Sequence, residues 1–364
     1  MSKIRMGIIG CGAIAQVQHM PNLAILHALY EVTWVCDISP GLAKWLADVF
    51  KVPNYTTDPH ELLNAADVDA VILCHADPKT ELAVAAFEAG KNVFIEKPMC
   101  FSLEEVDAIC AAKETAGTVG QVGYMKVYDP AFELAQQEVG DPDDVRFIQV
   151  NHLHPSNCLH LKQFELTYFD DIPPDAGPAR QEARSLALEQ AIGSVSEEAT
   201  KAFFTLSGSM IHDIYGLRIL LGNPSCVVST EVWQEGRATT TILQYPSGAR
   251  CVATWIDLPE LWDFKETLEV HKDAKRVILS YPTGFSRGIL STLDVQEIHA
   301  NGSHGKRSPS IDWESPFVRE LRHFYACITE DGLCRTPIED ARNDIALIID
   351  VTKAYVTGQS IAHG

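Results

Sequence analysis

The chain has 364 residues and a formal net charge of −20, which comes from 49 acidic and 29 basic side chains. This length predicts about two domains at roughly 150 residues each. Hydrophobic residues make up 46% of the chain, which is ordinary for a globular protein and excludes an intrinsically disordered one. The acidic excess argues against nucleic acid and anionic membranes as partners, because both bind clustered Lys and Arg side chains.

The first residues predict no export signal, because their apolar run ends at Gly10, before a cleavage site could follow. No stretch approaches the ~18 apolar residues of a membrane-spanning helix. The ten cysteines include no CxxC pair. Without an export signal we expect them to be reduced thiols in a cytoplasmic protein.

Residues 1–124 alternate between strand-like and helix-like segments. Apolar runs predict strands at Lys3–Ile9, Val32–Cys36, Val68–Cys74, Asn92–Glu96 and Val119–Tyr124. Helical patterns lie between them, at Ile14–Leu29, Gly41–Phe50, Lys79–Ala89 and Leu103–Thr115. Runs that are apolar on both faces are typical of buried parallel strands, so the alternation predicts a doubly wound α/β domain over residues 1–124.

The pattern changes after Tyr124, where strands follow one another closely. They are predicted at Val145–His154, Cys226–Gln234, Ala238–Tyr245, Arg250–Ile256, Thr267–His271, Arg276–Tyr281 and Leu293–His299. Residues 170–207 are polar and helical, and Ser194 with Glu197 matches a capping box there. Helices near Phe317–Thr329 and Ile338–Thr357 end the chain, and Glu330, Asp331 and Asp340 are expected to be solvated loop charges. Short turns between strands predict an antiparallel sheet, and so an α+β domain over residues 125–364.

A glycine-rich loop lies where the first strand meets the first helix. Gly10, Gly12 and Ala15 form a G-x-G-x-x-A pattern there. In a dinucleotide-binding loop, the first glycine permits a tight turn, the second admits a pyrophosphate, and the small third residue allows close helix packing. The helix N-terminus at Ala13 and Ile14 would then face the phosphates. The alternative is a glycine turn in an α/β domain that binds no nucleotide.

Asp37 ends the second predicted strand, 22 residues after Ala15. A carboxylate at this place accepts hydrogen bonds from the adenosine ribose hydroxyls. Its charge would repel a 2′-phosphate, and the first basic residue after it is Lys44. We therefore expect NAD rather than NADP, with His75 and Glu96 as further cofactor contacts at strand ends.

Lys97 lies at the end of the fourth predicted strand, in a Glu-Lys-Pro series. Ligands of open α/β sheets bind beyond the carboxyl ends of the strands, and Pro98 disfavours helical geometry at Lys97. An ammonium there could contact the cofactor, polarise a substrate hydroxyl or relay its proton. The alternative is a solvated lysine that ends a strand.

Three segments together resemble the glucose–fructose oxidoreductase/inositol dehydrogenase/MocA (Gfo/Idh/MocA) family. They are GIIGCGAIA at residues 7–15, Cys36-Asp37, and AVAAFEAGKNVFIEKP at residues 83–98. The similarity continues through residues 123–130 and returns in HDIYGLRILLG at residues 212–222. The resemblance implies an α/β Rossmann domain followed by an α+β domain with a large open, mostly antiparallel sheet. It also implies NAD(P)-dependent oxidation or reduction of a sugar, polyol or related compound.

The resemblance further implies that His212 is the base that takes a substrate hydroxyl proton while hydride leaves the same carbon. Many family members carry an aspartate four residues earlier, but this chain has Gly208 there. A carboxylate such as Asp170 or Asp171 could replace it. The departure is compatible with an altered substrate geometry, with a sufficient Lys–His pair, or with lost activity.

Several other polar residues are candidates for substrate contact. Ser209 could donate a hydroxyl, whereas Asp213 points about 100° around the helix from His212 and cannot replace the missing aspartate directly. Lys126 and Tyr128 follow the fifth predicted strand and could contact substrate or the nicotinamide ribose, or could instead pack between domains.

His152 and His154 alternate along one strand face, with His160 just beyond. That spacing could hold a metal, but we expect packed histidines or histidines that hold substrate hydroxyls, and no metal.

The motifs together with the resemblance thus imply an NAD-dependent dehydrogenase for a sugar, inositol-like polyol or glycoside, with Lys97 and His212 as catalytic residues. Two alternatives stay open. One is a glycoside-cleaving or eliminating enzyme that oxidises its substrate transiently, and the other is a non-catalytic NAD-binding regulator. An uncovered sheet face predicts a homodimer or homotetramer.

Overall fold

The computed structural model describes residues 3–330 and 332–364, so Asp331 lies outside the described residues. The chain forms two compact units. The first combines residues 3–124, 163–191 and the described part of 317–342, and the second combines residues 125–162, 192–316 and 343–364. The structure therefore departs from the single boundary expected after Tyr124, because two later segments pack with the first unit.

The strands and helices follow the predicted order with several additions. The strands are β1 Ile4–Ile9, β2 Tyr30–Cys36, β3 Asn54–Thr56, β4 Ala70–Leu73, β5 Asn92–Glu96, β6 Gly120–Gly123, β7 Phe147–His154, β8 Cys226–Trp233, β9 Ala238–Gln244, β10 Arg250–Asp257, β11 Lys265–His271, β12 Lys275–Tyr281, β13 Thr292–Ile298, β14 His304–Arg307 and β15 Ile361–Ala362. The α-helices are α1 Met20–Ile25, α2 Pro40–Phe50, α3 Pro59–Asn64, α4 Thr80–Glu88, α5 Leu103–Ala116, α6 Pro130–Val139, α7 Asn157–Leu161, α8 Ala176–Ile192, α9 Glu197–Thr205, α10 Ile211–Leu221, α11 Pro316–Thr329 and α12 Ile338–Thr357.

The first unit contains a six-stranded parallel sheet in the order β3-β2-β1-β4-β5-β6. This is the strand order of doubly wound dinucleotide-binding folds, and it confirms the predicted Rossmann domain. At its centre, Ile8 pairs with Val35 on one side and Ile72 on the other, and all three side chains are fully buried. The apolar runs read from the sequence are thus the buried strands of this sheet.

Helix α11 joins the first unit through its apolar face. Leu321 and Phe324 are fully buried in the core of this unit, and the Phe324 ring packs edge-on against Phe94 of β5. The Tyr30 hydroxyl donates a hydrogen bond to the Leu321 carbonyl at 2.6 Å. Burial of this face explains why α11 packs with a sheet that lies about two hundred residues earlier in the chain.

The second unit contains a nine-stranded sheet in the order β14-β13-β12-β11-β7-β10-β9-β8-β15. Among its nine described strands, β7 and β10 are parallel neighbours and the other neighbours are antiparallel. The large, mostly antiparallel sheet expected for the second domain is confirmed. The homodimer or homotetramer expected from its uncovered face stays a prediction.

Two local predictions were wrong. Helix α9 is capped by Ser196, whose side chain accepts a hydrogen bond from the Ala199 N–H, so Ser194 and Glu197 do not form the expected capping box. Asp340 lies in the first turn of α12 rather than in a loop. Its negative charge there stabilises the helix by interacting with the positive end of the helix dipole. Glu330 is exposed just beyond α11.

Within residues 3–330 and 332–364, no helix combines the length and apolar character needed to cross a bilayer.

Candidate active site

Gly10 allows two loops of the first unit to approach closely at the carboxyl ends of β1 and β4. Its φ angle is +96°, and a Cβ atom built on it would lie 2.3 Å from the His75 backbone nitrogen. No residue with a side chain fits there without moving the backbone. Burial, with the nearby Lys79 ammonium, lowers the pKa of His75 to about 4. His75 is therefore a neutral imidazole at pH 7, at the strand ends where it was expected.

Gly12 differs from Gly10 because a Cβ atom built on it would meet no atom within 4 Å. The helix that follows begins at Ala13 and includes a π-helical segment at Ala15–His19. Its first N–H groups have no acceptor within the helix, as at every helix start. Ala15 is fully buried and permits the close packing expected of it. This open cradle of N–H groups fits the pyrophosphate of a dinucleotide.

The Asp37 carboxylate follows β2 and is fixed by two backbone groups. One oxygen accepts a hydrogen bond from Cys11 N–H at 2.7 Å, and the other accepts one from Ser39 N–H at 2.9 Å. A carboxylate offers about four acceptor positions, so both oxygens can still accept hydrogen bonds from ribose hydroxyls. The cradle and this carboxylate together fit the dinucleotide that the sequence predicts.

Glu96 faces the interior of the first unit. Its side chain is 6% exposed and lies 2.6 Å from the Nε2 atom of buried His19. Burial alone would raise the pKa of Glu96, but the His19 ring and the Lys97 and Lys79 ammonium groups lower it below its ordinary value. These contacts give Glu96 a role in positioning the strand end, and its expected contact with the cofactor stays a prediction.

Lys97 itself is partly exposed, directly after β5. The loop around it is fixed by Lys79, whose ammonium donates to the Pro98 carbonyl at 3.3 Å and pairs with Asp77. The backbone N–H of Lys97 donates to Glu96. The structure thus places Lys97 at the edge where ligands of a parallel sheet bind.

A buried polar cluster lies in the second unit. Lys126 pairs with Glu266 of β11, and the Nδ1 atom of His152 on β7 lies 2.7 Å from the Asp213 carboxylate of α10. The Nε2 atom of His152 lies 3.8 Å from Glu266. Burial raises the pKa of Glu266, with the Asp213 carboxylate acting in the same direction and the Lys126 ammonium opposing it. All four side chains are at most 3% exposed, so they organise the interior.

This cluster corrects the expected substrate role of Lys126. Its ammonium is buried against Glu266, 5.0 Å from the centre of the Tyr281 ring. Glu266, His152 and Asp213 could offer three ligand atoms to a metal, but the Lys126 ammonium already supplies the positive charge that the carboxylates need. The cluster therefore carries no metal assignment.

The other candidates of the second unit are mostly packed side chains. Tyr128 is buried, and the His154 ring is stacked on Trp255 with centroids 5.7 Å apart. Trp255 also donates its indole N–H to the Ser209 hydroxyl at 2.9 Å. The Nε2 atom of His160 lies 3.1 Å from the Trp262 carbonyl, so the three histidines do not point at one ligand position. His154, His160 and Ser209 are partly exposed, whereas Tyr128 is buried.

His212 is partly exposed in the first turn of α10, directly after a π-helical segment at Leu206–Met210. Its Nδ1 atom lies 2.7 Å from the hydroxyl of Tyr215, which also accepts a hydrogen bond from the Lys126 backbone N–H at 3.3 Å. The hydroxyl oxygen can accept from both groups, because it has two lone pairs. In the tautomer with its proton on Nδ1, the His212 ring carries its basic lone pair on Nε2.

Two carboxylates considered in place of the missing aspartate, Asp213 and Asp171, contact other residues. A Cβ atom built on Gly208 would meet no atom within 4 Å, so this position has room for a side chain. Asp213 contacts His152 rather than His212, as its place on the helix predicts. Asp171 belongs to the first unit, where it accepts hydrogen bonds from Ser39 and Gly41. The Asp171 carboxylate is thus bound by the N-terminus of α2, and what replaces the missing aspartate stays a prediction.

Three residues of these sites were missed by sequence reasoning. They are Tyr215, which fixes His212, Glu266, which pairs with Lys126, and His19, which pairs with Glu96. Tyr215 lies three residues after His212, so helical spacing could have identified it. Glu266 is 140 residues from Lys126, and no local pattern marks their contact.

Comparison with known proteins supports this description of the first unit. Residues 4–124 match a family model described as an oxidoreductase family with an NAD-binding Rossmann fold. Inositol 2-dehydrogenase/D-chiro-inositol 3-dehydrogenase of Shouchella clausii is 36% identical over 156 residues, which are 41% of this chain and 45% of the relative. Inositol 2-dehydrogenase 2 of Paenarthrobacter aurescens is 29% identical over 258 residues, 67% of this chain and 63% of the relative. The match thus spans about half to two thirds of these relatives.

A solved structure of levoglucosan dehydrogenase in complex with NADH superposes with a TM-score of 0.77 over 100% of both chains. The two sequences are 17% identical. This similarity shows that the chain has the same two-part fold.

Proposed function

Because residues 4–124 belong to the Gfo/Idh/MocA oxidoreductase family and form its NAD-binding Rossmann fold, we propose that this protein is an NAD-dependent dehydrogenase. Its substrate would be a secondary alcohol of a sugar, an inositol-like polyol or a glycoside. Two of its relatives are inositol 2-dehydrogenases. The observation that carries the proposal is the open cradle of the first unit beside Asp37. In the second unit, His212 offers an imidazole base whose Nδ1 atom lies 2.7 Å from the Tyr215 hydroxyl.

In the proposed reaction, His212 takes the proton of the substrate hydroxyl at Nε2, and the Tyr215 hydroxyl holds the opposite side of the ring. Lys97 orients and polarises the same hydroxyl through its ammonium. When bound, the nicotinamide supplies the hydride acceptor. Positioned proton transfer of this kind contributes on the order of 10²–10⁴-fold to the rate.

The proposal is tested by an absorbance screen for NAD⁺ reduction over sugars, inositols and glycosides, with NADP⁺ in parallel. On the best substrate, Lys97→Ala and His212→Ala should each lower kcat at least about a hundredfold while NAD⁺ affinity changes little. Exposed Lys353 and His304 offer matched controls, because Lys353→Ala and His304→Ala remove the same side chains elsewhere. Wild-type kcat in both catalytic variants would refute the assignment.

A double variant, Lys97→Ala with His212→Ala, tests whether the two residues serve one transition state. Residues that act as a unit are strongly non-additive. The double variant should therefore be little slower than the slower single variant. Glycoside cleavage without net NADH, or NAD⁺ binding without turnover on any substrate, would instead favour the transient-oxidation enzyme or the regulator.

A further inference from the structure

Residues 163–171, which precede α8, lie along the cofactor edge of the first unit and are called the strap below. Its Thr167 exchanges two hydrogen bonds with the Gln16 side chain, each 3.0 Å long. The Gln16 amide also donates to the carbonyl of Cys11, in the glycine loop itself, at 2.9 Å. These bonds fix the strap to the start of the helix that forms the pyrophosphate cradle.

The far end of the strap is fixed at the N-terminus of α2, directly after Asp37. The Asp171 carboxylate accepts a hydrogen bond from the Ser39 hydroxyl and one from the Gly41 N–H at 2.7 Å. A Cβ atom built on Gly41 would lie 2.6 Å from the Phe169 ring and 2.7 Å from the Asp171 carboxylate, so a larger residue there would displace these side chains. Helix α2 has 11 residues, and its N-terminus favours an anion.

Ser39 therefore connects two carboxylates. Its backbone N–H donates to Asp37, and its hydroxyl donates to Asp171. In a Rossmann site that binds NADP, the 2′-phosphate lies beyond the second strand and needs a nearby cation or free donors. Here the Ser39 hydroxyl and the Gly41 N–H are already taken by an internal carboxylate. The first basic residue along this part of the chain, Lys44, is paired with Asp48 at 2.6 Å.

We propose that Asp171 is a specificity-determining residue that excludes the 2′-phosphate of NADP from the adenosine-ribose site. It does so by occupying the hydrogen-bond donors that the phosphate would use and by adding a second negative charge beside Asp37. The inference rests on the proposed function, in that the site must bind a nicotinamide dinucleotide. The preference for NAD over NADP would then depend on the strap as well as on Asp37, which follows β2.

The test measures equilibrium dissociation constants of NAD⁺ and NADP⁺ by isothermal titration calorimetry, without any substrate. Asp171→Asn should lower Kd for NADP⁺ about tenfold, the scale set by one charge near a phosphate in water, and should change Kd for NAD⁺ less than threefold. Asp170→Asn is the matched control, because Asp170 is a neighbouring exposed carboxylate of the same strap. Its Kd ratio should equal that of the wild type.

A second variant tests the same inference without changing Asp171 itself. Gly41→Ala should push the strap away from α2 and shift the NADP⁺/NAD⁺ ratio in the same direction. The inference would be overturned if the ratio of the NADP⁺ and NAD⁺ dissociation constants were unchanged in Asp171→Asn. It would also be overturned if both nucleotides bound more tightly by the same factor, because the strap would then merely cover the site. Wild-type protein that binds neither nucleotide would overturn the proposed function together with it.

Discussion

The glycine loop allows fold stability and cofactor binding to be separated by two alanine substitutions that lie two residues apart. At Gly10 the added methyl group meets the His75 backbone nitrogen at 2.3 Å, in a backbone conformation with φ +96°. Left-handed strain costs about 1–2 kcal/mol, and overpacking typically costs about 1–3 kcal/mol more. We therefore expect Gly10→Ala to lower the free energy of unfolding by about 2–5 kcal/mol.

At Gly12 the same methyl group meets nothing within 4 Å, and the backbone is not in the left-handed region. Gly12→Ala should change the free energy of unfolding by less than ~1 kcal/mol. The methyl group would, however, project into the space proposed for the pyrophosphate. We expect the Kd for NAD⁺ to rise at least about tenfold, a loss of ~1.4 kcal/mol of binding free energy.

The assay is urea unfolding followed by circular dichroism, combined with calorimetric titration of NAD⁺. Gly248→Ala is the control for strain alone, because Gly248 has φ +87° and no atom within 4 Å of its built Cβ. It should cost only the ~1–2 kcal/mol of the backbone term. The reasoning is refuted if Gly12→Ala destabilises as much as Gly10→Ala, or if Gly12→Ala binds NAD⁺ as tightly as the wild type.

Three further predictions concern buried groups. Tyr215→Phe keeps the packing but removes the contact with His212, so kcat should fall about tenfold with unchanged NAD⁺ affinity in stopped-flow assays. Glu266→Gln leaves the buried Lys126 ammonium without its carboxylate and should cost about 3–5 kcal/mol in urea unfolding. Burial raises the pKa of Glu320 well above its ordinary 4.5, and Glu96 adds to this effect. The folded state therefore holds a proton that the unfolded state releases, so wild-type stability should fall as pH rises above about 4.5, and Glu320→Gln should remove that slope in unfolding at pH 5 and pH 8.

The parallel sheet could be predicted closely because its signal is local. Strand β5 and helix α12 begin and end at the residues that the sequence predicts. The elements that were missed are short or polar. Strand β3 has three residues and β15 has two, and β14 carries mostly exposed polar side chains, so none shows an apolar alternation.

The contacts that define the sites could be predicted only in part. The glycine loop and Asp37 follow from a pattern whose members lie within 28 residues. By contrast, Asp171 meets Ser39 across 132 residues, and His152 meets Asp213 across 61. Such pairs are set by how the chain returns to an existing sheet edge, and no periodicity in the sequence encodes them. That is why the sequence offered Asp171 only as one possible replacement for the missing aspartate and gave no sign of its contacts at the start of α2.

Two acidic side chains, Asp37 and Asp171, lie at the cofactor edge of the first unit. Asp37 and Asp171 are held by hydrogen-bond donors of the loops, and the nearest base in sequence, Lys44, is paired with Asp48. Such carboxylates can accept ribose hydroxyls while they repel a phosphate. Repulsion between exposed charges is screened by salt, since the Debye length falls from about 10 Å at 0.1 M to about 3 Å at 1 M. Preference for NAD⁺ over NADP⁺ should therefore weaken as salt rises, and it should weaken less in Asp171→Asn, where part of the repulsion is already gone.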